Sequence, residues 1–101
     1  MIRVYAERKG GRCRLFVTGH ANEGKDRDAV CAGVSALTEA LVLYADATPA
    51  CRHLRRSVRA GEVFFSCRGG LGAGFDLVVG GLRAIANAYP EHLCIERAVC
   101  S

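Results

Sequence analysis

Three things are missing from this sequence, and each closes off a class of protein. No CxxC pair occurs among its six cysteines, at positions 13, 31, 51, 67, 94 and 100, so the usual zinc-ribbon and dithiol-redox spacings are absent. No apolar leader is visible: the chain opens Met1-Ile2-Arg3-Val4-Tyr5-Ala6-Glu7, an alternation that suits a strand and not a signal core. No long hydrophobic run exists either. The longest apolar stretch, Ala29 to Ala45, is interrupted by Ser35, Thr38 and Glu39, and is expected to be too short and too polar to span a membrane. The expectation is a cytoplasmic protein with no membrane contact. Disulfides are not expected in that compartment, so most of the cysteines are read as small buried apolar residues. Prolines are also scarce, and Pro49 and Pro90 each read as the end of a helix.

What remains is an ordinary globular composition. The 101 residues are 50% hydrophobic and 24% charged, with a formal net charge of +4. That describes a single domain over residues 1–101 with a modest core. The basic excess permits an anionic partner without requiring one. There are no internal repeats, linkers or low-complexity runs.

The pattern along the chain predicts the element order ββαββαβ. Residues 2–7 and 12–18 alternate as strands, with Lys9-Gly10-Gly11 between them as a hairpin signal. A polar loop, Gly19 to Arg27, leads to a helix over about 28–47, with Asp28 as its N-cap. Val30, Val34, Leu37, Leu41 and Tyr44 form its apolar stripe. Ala29, Ala32, Ala36, Ala40, Leu43 and Ala47 form an opposite face that carries no charge, so a second helix or a partner subunit is expected to cover it. Residues 52–59 and 62–68 read as a second hairpin turning at Ala60-Gly61. Gly69 to Gly74 reads as a flexible loop, 75–89 as a second helix and 92–99 as a last strand. The fold class is α/β of the α+β type: a mainly antiparallel five-stranded sheet with two helices.

One pair of residues stands out chemically. With Asp28 as N-cap, Cys31 becomes the third residue of the helix, where free backbone N–H groups and the positive dipole end favour a thiolate. The same N–H groups could hold an oxyanion. His20 opens the loop that leads into that helix and is the first candidate base. His53 and His92, in predicted strands, are its rivals. The plain alternatives are a buried apolar Cys31, an Asp28 that only caps, and a Ser35 hydroxyl bonded to the backbone one turn back.

Gly19-His20-Ala21, followed by Asp28-Ala29-Val30-Cys31-Ala32-Gly33-Val34-Ser35, resembles the ribosomal-processing cysteine protease family known as Prp. That family's signature is Gly-His-Ala followed by Asp-Ile-Val-Cys-Ala-Ala-Val-Ser. The length and element order are also similar to the family's. The resemblance implies His20 and Cys31 as the catalytic pair, with Asp28 and Ser35 as supporting residues and no cofactor or metal. It implies a cysteine endopeptidase that removes the N-terminal extension of a large-subunit ribosomal protein at a hydrophobic, aromatic site. It also implies a homodimer. The chain departs from the pattern in the loop: Asn22-Glu23-Gly24-Lys25-Asp26 replaces an aromatic-containing segment and is about one residue shorter. Ala29 stands where isoleucine is common.

Other readings compete with this one. Cys51-x-His53 and His92-x-Cys94 could hold zinc if their strands were neighbours. Arg52, Arg55, Arg56 and Arg59 could serve a non-catalytic ribosome- or RNA-associated assembly factor, although that run lacks the interleaved aromatics of single-strand readers. A basic ribosomal protein would not be attracted by it, so nucleic acid or acidic side chains are its natural partners. The Gly69–Gly74 segment lacks the lysine and hydroxyl of a phosphate-binding loop, which leaves it as a loop that could help shape a substrate groove.

Overall fold

In the computed structural model, which describes residues 1–100, with Cys100 by its backbone alone, the seven elements follow in the predicted order. They are β1 (Ile2–Lys9), β2 (Arg12–Thr18), α1 (Arg27–Asp46), β3 (Arg52–Arg59), β4 (Glu62–Arg68), α2 (Gly72–Ala88) and β5 (Leu93–Cys100). The side chain of Cys100 lies outside the described residues.

The five strands make one sheet in the order β3-β4-β2-β1-β5. β1–β2, β2–β4 and β3–β4 pair antiparallel, whereas the first strand pairs parallel with the last. Alternation decides the faces. Ile2, Val4 and Ala6 of β1 and Cys13, Leu15 and Val17 of β2 are buried together with Phe65 and Cys67 of β4. Both helices cover this face. α2 packs on α1, β5 and β1, with Phe75, Val78, Val79 and Leu82 buried.

α1 runs for 20 residues, long and apolar enough by length and composition alone to cross a membrane, a test that core helices also pass. Its buried stripe is Val30, Val34, Thr38, Leu41 and Ala45. The stripe is therefore rotated slightly from the predicted one, and Tyr44 is exposed. Thr38 is accommodated because its hydroxyl donates to the carbonyls of Val34 and Ser35 at 3.0 and 3.1 Å. α2 covers one flank of α1, but Ala32, Ala36, Ala40 and Leu43 remain exposed.

Two helix starts differ from expectation. α1 begins at Arg27, and its N-cap is Asp26 in the left-handed conformation with φ 67°, not Asp28. Aspartate tolerates that conformation. The ladder then opens with the Val30 N–H donating to the Asp26 carbonyl at 3.0 Å. Asp28 is an exposed acid of the first turn, where it complements the positive end of the helix. α2 begins at Gly72, inside the segment read as a loop. Gly74 has a packing role there: a Cβ on it would meet the Tyr44 ring at 2.6 Å, so the two helices approach closely only because it is glycine.

Cys13 and Cys67 are cross-strand neighbours beneath the helices, with Cys51 beside them. Burial, followed by hydrogen bonding and charge repulsion from Cys51 and then Cys13, pushes the Cys67 thiol from 9.0 up to about 12. The fold thus holds a neutral thiol, and its contribution is complete below pH 9, where the unfolded chain is also protonated. Above pH 9 the unfolded chain loses that proton and the folded one keeps it, so stability falls as the pH rises from about 9 towards about 12. Urea denaturation across this range should show the alkaline fall, and Cys67→Ala should flatten it.

Candidate active site

His20 follows the end of β2, and two glycines fix its place. Gly19 has φ 92°, and a Cβ there would run into the Met1 carbonyl. Its N–H donates to the Gly61 carbonyl at 2.8 Å, which ties the end of β2 to the β3–β4 turn. Gly61 has φ 73°, and a Cβ on it would lie 2.6 Å from His20 Nε2. The imidazole therefore rests on the bare backbone of that turn.

Between His20 and α1 the chain is tied down at several points. Ala21 is buried, and its carbonyl accepts from Arg27 Nε at 3.0 Å. Asn22 Oδ1 accepts from the Met1 ammonium at 2.7 Å, and its Nδ2 donates to the Glu91 carbonyl. His92 is buried, and its Nε2 donates to the Lys25 carbonyl at 2.8 Å. Its Nδ1 is buried with no hydrogen-bond partner among the described residues. His92 thus acts as a pillar for the loop. His92→Ala should lower stability by about 2–3 kcal/mol and speed hydrogen exchange in residues 25–27, both readable by denaturation and amide-exchange measurements.

The consequence is a cavity of about 240 Å³ lined by His20 and Cys31 together, with Ser35 one turn further along α1. Ile2, Val17, Val34 and Val63 give it an apolar lining, and Glu39, Arg59 and Glu62 stand among its polar groups. Cys31 is half-buried, and His20 and Ser35 are exposed. Asp28 does not line the cavity. Cys31 is the fifth helical residue rather than the third, so its own N–H lies inside the ladder. The free N–H groups belong to the first turn, one turn back, in the direction that helical side chains lean. The hydroxyl bonded to the preceding turn is that of Thr38, not Ser35.

The competing sites come apart. Cys51 and His53 lie at the β3 edge and His92 and Cys94 at the β5 edge, with three strands between them. No group of three or more candidate metal ligands occurs among the described residues. Gly69 bonds to Gly11 at the far end of the β1–β2 hairpin, so the glycine segment sits away from the cavity and does not shape it. Of the arginine run, Arg56 turns to the helix side and pairs with Asp46. Sequence reasoning missed Gly61 and His92. Gly61 was legible only as a turn residue, and nothing local links position 92 to position 25.

A thiol and an imidazole facing one apolar-lined cavity are the equipment of a thiol-dependent hydrolase. The chain belongs to the family Cysteine protease Prp, whose model matches residues 1–94, and it is a cysteine protease. Solved structures share the fold. The ribosomal processing protease Prp from S. aureus in complex with a substrate peptide has a TM-score of 0.76 at 21% identity, covering 96% of this chain and 99% of that one. The same protein with a covalently linked product peptide gives 0.76 at 22%, with the same coverage. SMU.848 from Streptococcus mutans gives 0.70 at 24%, covering 98% and 95%. No curated protein matches the chain.

Proposed function

We propose that this protease removes the N-terminal extension of a large-subunit ribosomal protein, with Cys31 as nucleophile and His20 as general base. The supporting observation is that both side chains line one apolar cavity in a chain of the Prp family. The structural neighbour from S. aureus is a ribosomal processing protease seen with its substrate peptide.

His20 takes the proton of Cys31, and the thiolate attacks the scissile carbonyl. The oxyanion is held by N–H groups of the first turn of α1. His20 then protonates the leaving amine, and water, activated by the same imidazole, releases the acyl group. Ser35 borders the nucleophile from the next turn. Asp28 supports the site only through the start of α1.

The apolar lining suits a hydrophobic side chain beside the scissile bond. Glu39 and Glu62 give a basic peptide two carboxylates to meet, which the arginine-rich strand cannot do. The test is to incubate the protein with a ribosomal protein that carries its extension and to identify the products by mass spectrometry. One cut at the extension boundary is expected, and an intact substrate would overturn the reading.

The protein is further proposed to work in the cytoplasm as a homodimer. The uncharged face of α1, with Leu43 68% exposed and Tyr44 49% exposed, is an apolar surface that a second copy would cover. Sedimentation at rising concentration should show the dimer.

A further inference from the structure

The helices cover one face of the sheet and leave the other open. Strand register defines what stands there, because directly paired residues point to the same side. One row across the strands reads Ser57, Phe64, Phe16, Tyr5 and Arg97. Three aromatic rings thus lie side by side on three adjacent central strands. Phe16 and Phe64 have centroids 6.4 Å apart, and Tyr5 and Phe16 6.2 Å. Together with Arg14 and Arg97 they line a groove of about 410 Å³.

Basic side chains crowd the same face. The row beyond the aromatics carries Arg55 and Arg14, and the next Arg52, Arg68 and Arg12. A second groove of about 440 Å³ lies among Arg12, Arg14, Arg55, Arg68 and Phe64. Against these stand three carboxylates, Glu7 and Glu62 at paired positions and Glu96, which pairs with Arg3. Glu7 stands 3.9 Å from Arg97. The mild net charge of the chain is therefore the sum of a strongly basic open face and an acidic remainder.

We propose that this open face is a platform for single-stranded RNA, with bases stacked on Tyr5, Phe16 and Phe64 and phosphates held by the flanking arginines. The run 52–59 has no aromatics of its own, but the neighbouring strands supply them. Aromatic rings on central strands stack bases, and basic side chains around them neutralise the backbone. A second copy is a poor occupant, since it would bring like charges face to face. The catalytic cavity lies on the helix side, so a short oligonucleotide on this face leaves it open. The choice of RNA over DNA rests on the proposed ribosomal substrate; binding of a single strand to this face does not.

The experiment is fluorescence anisotropy with labelled RNA of about 12 nucleotides, the length of one small-fold site. Its DNA counterpart, the matching duplex and peptide cleavage are followed in parallel. Binding is expected to weaken roughly tenfold or more between about 50 and 200 mM salt. Phe64→Leu keeps an apolar residue and removes the ring face, and should weaken binding about tenfold. Arg14→Gln and Arg55→Gln should each lower the salt slope by about one. All three variants should cleave peptide as the parent does, which also reports their folding.

No binding at low salt overturns the proposal. So does equal affinity for the duplex with no effect of Phe64→Leu, or tighter binding of the DNA. Self-association abolished by Phe64→Leu would make the face a protein interface and likewise overturn it. Loss of cleavage by the parent protein itself would strike only the peptidase reading.

Discussion

Cys31→Ala is expected to lower kcat/KM for peptide cleavage on the order of 10⁴-fold, and His20→Ala by a comparable factor. The reason is geometric. The two side chains share one cavity, and among the described residues no other cysteine or histidine lines it. The double variant should be no slower than either single one, because nucleophile and base act as a unit. Both substitutions fall on residues that are not fully buried, so denaturation midpoints should move little. Undiminished cleavage by either single variant would overturn the assignment.

Gly61→Asn should be the most damaging change that leaves both reacting groups in place. Its Cβ would sit 2.6 Å from His20 Nε2, and the turn backbone cannot retreat without breaking the bond from the Gly19 N–H. The imidazole must move. A displacement of about 1 Å is worth roughly 10²-fold in rate, so kcat should fall by about that factor. Asparagine tolerates a positive φ, which keeps backbone strain out of the comparison. Gly10→Asn is the control: φ is positive there too, at 58°, with open space around it. It should leave cleavage unchanged. Equal rates for both variants would show that His20 does not depend on the turn.

Much of the fold was legible because its signals are local. β1 and β2 alternate cleanly around Gly10-Gly11, and the α1 stripe follows helical spacing. The failures were places where distant contacts decide. Asp28 reads as the cap in the sequence, yet the helix starts one residue before it and Asp26 is the cap. The glycines at the start of α2 read as flexibility, yet Gly74 is small because Tyr44 crosses it. The zinc reading depended on strand order, and β3 and β5 proved to be opposite edges. At the candidate site, spacing and motif pointed to His20 and Cys31 together, and the two do line one cavity. Gly61 and His92 were not, since each acts on a residue far from it along the chain. The aromatic and basic character of the open face likewise emerges only when the strands are in register.

The parallel pairing of β1 with β5 sets an order of events during synthesis. The thiol and the imidazole are both made within the first third of the chain. Ile2, which lines their cavity, is paired with Leu93 and held by the His92 carbonyl. The pillar beneath the loop is also His92. A chain of residues 1–90 therefore contains every residue that lines the cavity, but lacks the strand that pairs with Ile2 and the histidine that props the loop. Closing that long separation is the slow step in such topologies. The loop that carries His20 thus takes its support from the last part of the chain to be made.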